Sequence, residues 1–508
     1  MDGAGAAVPP GGLLLAVTWC SAESTMASSA SPAAPAGVRL PRVPRWQSLL
    51  RSFALAKDPL PILDNTLARF GDSVHLFIGG VQPSVLTRDP GLINHILQKN
   101  HRNYRKSKFT QGFARYIGHG LLTNDGPDWL RQRRLIQPGF HRQRVAGLAG
   151  LMQQIIAETL APLRARAAAE GGAVEVATHE LMTELTFRII ARSVFSTNFG
   201  AAELDHVARL ITEIQAFYVR TIRQPYLNPW FRLRGQFRYH DQLTRELRAV
   251  LSGYIARRRA ANAAPGSAPP DDLLQMLLDV RYEDTGQPMT DEQVLDEALI
   301  LLIAGHETSA NALTWLLYLL ARHPAEAEAI RAETAAVLAA RPPGQGEALF
   351  AFEELPRLPR ALYAVQEAMR LYPPAWMVDR VALADDEYQG LRIPKGTLFS
   401  LYIYGLHHAP GHWPQPAEFR PSRFAPTAEP LVPGAYLPFG GGPRLCIGMQ
   451  FALTEMQLVT LELLRHFTVE PVAGRPPVPT LPLITLRPKG DFGVRLRLTP
   501  ALSRGEGA

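Results

Sequence analysis

The segment Phe439-Gly440-Gly441-Gly442-Pro443-Arg444-Leu445-Cys446-Ile447-Gly448 sets a single cysteine in a glycine-rich turn. A thiolate that ligates haem iron must stay deprotonated in an apolar site, and metal coordination with backbone N–H groups achieves this. The glycines let the backbone approach the sulfur. A helix expected to open at Cys446 turns its positive end toward the anion. Phe439 can shield the sulfur, and Arg444 can reach a haem propionate. A phosphate-binding loop is excluded, since no Gly-Lys-Ser/Thr follows. A merely structural cysteine would need neither this loop nor this arginine.

A second group with chemical potential lies in residues 291–322, which read as one helix about 48 Å long at 1.5 Å per residue. Apolar runs, Ala298 to Ile303 and Leu313 to Leu320, flank Ala304-Gly305-His306-Glu307-Thr308-Ser309. A helix apolar nearly all round is buried or crosses a membrane, so polar residues at its midpoint point to function. Oxygen activation asks for such a break. Ala304 and Gly305 would leave room for dioxygen, Thr308 would supply a hydroxyl and Glu307 an acid for proton relay. Thr308 can also bond back to its own helix. His306 is read as a core or solvent-chain residue, not an iron ligand. Glu367 and Arg370 stand at i and i+3 on another predicted helix, where they can interact.

The cysteine segment resembles the haem-binding signature of the cytochrome P-450 superfamily, Phe-x-x-Gly-x-Arg-x-Cys-x-Gly, at every fixed position. Ala304 to Thr308 is similar to the family's Ala/Gly-Gly-x-Asp/Glu-Thr pattern. The resemblance implies that Glu367, Arg370 and Arg423 form a buried triad, with Ser422 departing from the family's usual Glu. It implies that Trp129, Arg133, Arg380 and Arg444 contact haem propionates, with His119 a further candidate. Phe439, Gly448, Ala304 and Gly305 join them around the cofactor, and Cys446 is the iron ligand. The resemblance spans about residues 45–498.

That resemblance also implies a mainly α fold with a small β region, a single triangular domain enclosing haem b. The implied activity is that of a haem-thiolate monooxygenase of the bacterial soluble type, hydroxylating a hydrophobic substrate such as a fatty acid, carotenoid or terpenoid. Dioxygen is the co-substrate. Electrons would come from NAD(P)H through a separate reductase and a ferredoxin or flavodoxin type donor, because no flavin or iron–sulfur motif follows Phe467. A peroxide-driven peroxygenase and a non-catalytic haem sensor are the alternatives, and Glu307 with Thr308 counts against the first. Trp376 and Met377 are expected to line the pocket, and Phe217, Tyr218, Tyr226, Trp230 and Phe231 to form a mobile lid that can also touch lipid.

The elements that must position these residues can be read from pattern. Helices are expected near 128–137, 144–168, 177–195, 202–219, 236–261, 271–280, 325–340 and 358–371, with a last one from Cys446 to Phe467. Strands are expected at Val74 to Ile78 and Pro83 to Thr87, meeting at a Gly79-Gly80 hairpin, and again near 386–404. Pro/Gly-rich loops fall at 264–270 and 341–344. The 508 residues, 46% hydrophobic, suffice for a large core. Cys20 and Cys446 are the two cysteines, which argues for a reducing compartment, here the cytoplasm. The net charge of +7 is compatible with an acidic protein partner, for which Arg102, Arg105, Lys106, Lys108, Arg131, Arg134, Arg142 and Arg144 would form the docking stretch. No nucleic-acid-binding motif is present, and a monomer is expected. Residues 1–44 read as a disordered Ala/Pro-rich extension whose true start could be Met26, and 499–508 as a disordered tail. The longest apolar run there, Leu13 to Cys20, is too short for a transmembrane helix and lacks preceding basic residues.

Overall fold

A computed structural model describes residues 38–499 except 79, 81, 197–199, 265, 267, 343–348 and 491. The terminal extension and tail therefore lie outside the described residues, apart from 38–44 and Thr499, as do parts of the Gly79-Gly80 hairpin and of the two Pro/Gly loops. Residues 38–44 are not disordered. Val38 bridges to Leu391 and Arg42 to His75, and the Val43 N–H donates to the His75 carbonyl at 2.8 Å. The onset of order thus precedes Arg45, because this extended segment finds backbone partners distant in sequence.

The longer helices are α1 Arg45–Lys57, α2 Leu60–Phe70, α3 Gly126–Ile136, α4 Arg142–Ala169, α5 Thr178–Phe195, α6 Ala201–Arg223, α7 Gln236–Asn262, α8 Asp291–Arg322, α9 Pro324–Ala339, α10 Pro359–Leu371 and α11 Met449–His466. The strands are β1 Ser73–Ile78, β2 Gln82–Thr87, β3 Tyr104–Arg105, β4 Ala173–Ala177, β5 Val378–Ala382, β6 Asp386–Tyr388, β7 Leu391–Ile393, β8 Leu398–Leu401, β9 Phe467–Pro471, β10 Thr480–Pro482, β11 Leu486–Pro488 and β12 Gly493–Leu498. The fold is mainly α, with small sheets.

β1 and β2 pair antiparallel, and the five-stranded sheet runs β1-β2-β8-β5-β3. It joins the N-terminal hairpin to the strands after residue 378. β4, β12 and β9 form a second sheet, and β10 with β11 a hairpin.

The central helix α8 begins at Asp291 because Thr290 and Gln293 cap it reciprocally. The Gln293 N–H donates to Thr290 Oγ1 at 3.2 Å, and the Thr290 N–H to Gln293 Oε1 at 2.9 Å. It ends before His323-Pro324, where proline forbids continuation. Its apolar sides are enclosed chiefly by α5, and by α7, α10 and α11. The main core surrounds it, with two smaller clusters under the five-stranded sheet and beneath α2.

The last helix starts at Met449, three residues later than the sequence implies. Cys446 instead closes the preceding turn, with its own N–H donating to the Phe439 carbonyl at 3.0 Å. Gly448 is the N-cap. The long-range pairing across the glycine turn holds residues 446–448 out of helical conformation.

Candidate active site

The cysteine loop is shaped by two glycines in the left-handed region. Gly440 has φ +75° and Gly442 φ +64°, and a Cβ on Gly442 would sit 2.0 Å from the Leu97 carbonyl oxygen. The loop is thereby pressed against the segment His95–Lys99. Cys446 lies deep in the molecule, yet its side chain remains accessible. Burial pushes the thiol up. The Gly448 N–H, which points at the sulfur, and the nearby Arg133 charge oppose that shift. A metal-bound thiolate needs this kind of support. A Cβ at Gly448 would meet the Phe140 ring only at 3.9 Å, so this glycine supplies an N–H rather than room. Phe439 is partly buried against the main core.

Four cations converge beside this loop. Arg133 donates to the Leu445 carbonyl at 3.0 Å, and Arg444 to the Asn124 carbonyl at 3.0 Å and to the Asp125 carboxylate. The Arg444 guanidinium lies 3.7 Å from the centre of the Trp129 ring. Arg380 is buried and donates to the Asp379 carbonyl at 2.6 Å. The fourth, Lys106, is 8% exposed and donates from Nζ to the carbonyls of Leu121 and Leu122 at 3.1 and 2.6 Å. Burial lowers all four pKa values, bringing Arg444 to about 10 and Lys106 to about 7, and repulsion from Arg380 adds to both.

Asp125 and Asp379 are the carboxylates that offset this charge. Three arginines and the partly titrated Lys106 against two carboxylates leave a surplus of positive charge beside the loop. A group bearing two carboxylates of its own suits that surplus, and haem b carries a pair of propionates. The donor set thus fits haem: one cysteine with an N–H aimed at its sulfur, and cations in excess nearby.

Lys106 is therefore misplaced in the docking stretch inferred from sequence. The residue is buried and its ammonium is turned inward, satisfied by two backbone carbonyls. Arg131 and Arg144 are engaged as well, with Asp284 at 3.0 Å and with Asp271. Arg102, Arg105, Lys108, Arg134 and Arg142 are exposed. His119 is exposed and held by its backbone, its N–H donating to Asp296 Oδ2 at 2.7 Å.

Between Val294 and Leu317, α8 is buried at every position except Ala304, Gly305 and Thr308. Ala304 and Thr308 are one turn apart, and the Thr308 hydroxyl donates to the Ala304 carbonyl at 2.7 Å. Gly305 has a different task from the one expected of it. A Cβ there would collide with Ile190 Cγ1 of α5 at 2.7 Å, so the missing side chain serves helix packing. Room along this face comes from Ala304. His306 is buried, with Nδ1 2.9 Å from the Leu302 carbonyl.

Glu307 is buried and faces the β10–β11 hairpin. Its Oε1 accepts from Arg487 Nε at 2.9 Å, from Arg487 Nη2 at 2.6 Å and from the Thr485 hydroxyl. Burial pushes the carboxyl up, but the Arg487 charge, the Thr485 hydroxyl and the neighbouring His306 together hold it below its usual range. Arg487 and Thr485 escape local pattern reading, since nothing in a short strand signals a partner 180 residues away.

The triad assembles. Glu367 binds Arg370 through both oxygens at 2.7 and 2.8 Å and Arg423 at 3.2 Å, all three buried. Arg370 also donates to the carbonyls of His407, Pro416 and Glu418. The aromatic segment divides. Phe217 stacks on His240 at 3.8 Å and meets Phe231, and Tyr218 stacks on Phe113, whereas Tyr226 and Trp230 are exposed. Trp376 packs in the cluster beneath α2, its indole N–H donating to the Leu483 carbonyl at 3.0 Å.

The cytochrome P450 family model matches residues 41–493. The chain belongs to the cytochrome P450 family. It is 34% identical over 426 residues to the cyclooctatin synthase of Streptomyces melanosporofaciens, covering 83% of this chain and 87% of that one. It is 32% identical over 427 residues to the cyclooctat-9-en-7-ol 5-monooxygenase of the same organism, covering 83% and 88%. The crystal structure of the cytochrome P450DA heme domain superposes with a TM-score of 0.79 at 26% identity, covering 92% of this chain and 99% of that one. This P450 is a monooxygenase by family, and the fold implies haem, dioxygen, a hydrophobic substrate and a redox partner. No helix among the described residues is long and apolar enough to cross a membrane.

Proposed function

We propose that this P450 inserts one oxygen atom of dioxygen into a C–H bond of a hydrophobic, ring-containing substrate, using electrons from NAD(P)H delivered by a separate ferredoxin- or flavodoxin-type donor. The carrying observation is the accessible patch of Ala304, Gly305 and Thr308 in a helix buried on either side of it. Haem b, when bound, supplies the reduction of dioxygen and the oxidising power for C–H attack.

Cys446 would ligate its iron, and Lys106, Arg133, Arg380 and Arg444, with Trp129 beneath Arg444, would hold its propionates. Ala304 keeps the middle of α8 open. The Thr308 hydroxyl, tied to the Ala304 carbonyl, holds a proton at that opening, and Glu307 one position earlier is its acid reservoir. The buried apolar flanks, Leu299 to Ile303 and Leu313 to Leu317, exclude water.

The relatives named for cyclooctatin and for cyclooctat-9-en-7-ol favour a ring skeleton over a linear chain. The exposed Arg134 and Arg142 border the loop at Phe140, which lies against Gly448, and suit an acidic donor. Exposed Trp46 on α1, with Trp230 and Leu233, suits peripheral contact with lipid by a cytoplasmic monomer.

Optical titration of the haem-loaded protein against fatty acids, carotenoids and cyclic terpenoids tests the substrate class. A low-to-high-spin shift is expected with the cyclic terpenoids. Absence of a shift with every apolar ligand, or a ferrous carbonyl adduct without the red-shifted Soret band of sulfur ligation, overturns the proposal.

A further inference from the structure

The side chain of Glu307 is held by a chain of contacts that spans three elements. On the hairpin, Arg487 and Thr485 both donate to the same oxygen, Oε1. One turn along α8, Asn311 Nδ2 donates to Thr485 Oγ1 at 3.0 Å. On α6, Gln215 Oε1 accepts from Arg487 Nη2 at 3.2 Å, and Gln215 is itself buried. Thr308, though adjacent in sequence, bonds to Ala304. Neighbouring residues on a helix point about 100° apart, so Glu307 and Thr308 serve different faces of α8.

We propose that Arg487 is a positioning residue for Glu307, clasping its carboxylate against the β10–β11 hairpin, and that Gln215 makes the clasp sensitive to the position of α6. The proposal rests on the reading of Glu307 as a proton reservoir only for its consequence in turnover; the clasp itself stands on the contacts.

A buried carboxylate without a counter-charge protonates, because burial disfavours the anion. The charged groups that act on Glu307 are Arg487 on β11 and the neighbouring His306, whose protonation burial disfavours; α6 offers the neutral Gln215. Arg487 is the largest of the influences that offset burial of Glu307, ahead of the Thr485 hydroxyl and His306. An ionised carboxylate has no proton to give. Delivery requires Arg487 to withdraw, a proton from solvent to bind the freed carboxylate, and that proton to pass on toward Thr308. Withdrawal moves the β10–β11 hairpin or the Arg487 side chain, and both are tied to α6 through Gln215. The clasp thus links lid position to proton supply.

Infrared spectroscopy of the purified haem-loaded protein tests the clasp without turnover. In wild type, no carboxylic-acid C=O band removable by Glu307→Gln is expected between pH 6 and 8, values chosen about the physiological range where histidine and shifted carboxyls titrate. Arg487→Leu is expected to produce such a band, absent from the Arg487→Leu/Glu307→Gln double variant, and Arg487→Lys to abolish it again. Arg487→Gln serves equally should the leucine variant fail to accumulate. A protein without this band in either neutral variant overturns the clasp.

Gln215→Leu is expected to leave Glu307 ionised yet to speed amide hydrogen exchange in 480–488 severalfold. Unchanged exchange overturns the link to α6. Should the band appear in Arg487→Leu while the share of electrons reaching product stays at the wild-type level, the clasp stands and the reservoir role of Glu307 fails.

Discussion

The guanidinium of Arg444 lies over the Trp129 ring at 3.7 Å and donates at once to the Asn124 carbonyl and the Asp125 carboxylate. The turn just before Cys446 is thereby tied to the start of α3. A cation over an indole face contributes about 0.5–2 kcal/mol, and here it also orients the arginine within the buried cation cluster.

Loss of that stack is expected to loosen the cofactor before it loosens the fold. Trp129→Ala should accelerate haem loss to an acceptor protein several-fold, with Arg444→Leu more severe because it removes a charge as well. Soret absorbance followed during transfer measures this. Rates equal to wild type in both variants contradict the propionate assignment.

Two neighbouring glycines in the cysteine loop should respond oppositely to alanine. Gly442 combines φ +64° with a Cβ 2.0 Å from the Leu97 oxygen, whereas a Cβ on Gly441 would meet Leu437 Cδ2 at 3.6 Å with no positive φ. Gly442→Ala is expected to cost more than about 3 kcal/mol and to yield haem-poor protein, since steric conflict adds to left-handed strain. Gly441→Ala should fold and load normally. Comparison of haem content and thermal midpoint decides between them.

Glu455 on α11 gives a pH dependence. It is wholly buried, and burial raises its pKa from 4.5 to about 8 against the weaker pull of the facing Ser309 hydroxyl. The folded state then binds a proton that the unfolded state releases between those values, so this group costs stability increasingly as pH rises through that window. Glu455→Gln is expected to leave stability near pH 4.5 little changed and to raise it at pH 8 by a few kcal/mol, since each tenfold change in proton affinity is worth about 1.4 kcal/mol. Glu297 is raised to about 8 as well, so part of the slope should survive. Thermal midpoints across this range provide the check; an identical slope in the variant would refute the assignment.

Thr308→Ala should uncouple electron flow from product, because the hydroxyl at the opening beside Ala304 is lost while binding is retained. Product per nicotinamide consumed is expected to fall several-fold, with peroxide rising in compensation, and the substrate-induced spin shift to persist. Coupling at the wild-type ratio would exclude a relay through this hydroxyl.

Several parts of this molecule were legible in the chain because they rest on local interactions. The 32-residue span of α8 was read from its apolar flanks and polar centre, and the capping box and His323-Pro324 stop that bound it are likewise local. The strand pair β1–β2 follows from alternation about a glycine turn. The triad was legible only through resemblance, since the i,i+3 spacing of Glu367 and Arg370 is common and Arg423 is far along the chain.

Other features were decided by packing between distant segments. Helix α11 starts at Met449 rather than Cys446 because Phe439 takes the Cys446 N–H. Gly305 serves Ile190, and Lys106 turns inward to Leu121 and Leu122 rather than outward to a partner. Glu307 meets Arg487 across 180 residues. By itself the sequence determined the helices, the turn glycines and the types of residue able to ligate, relay and clamp, because propensity, capping and spacing act over a few residues. Only the tertiary structure decided which buried charges face one another, because desolvation and ion pairing depend on neighbours that the order of the chain does not disclose.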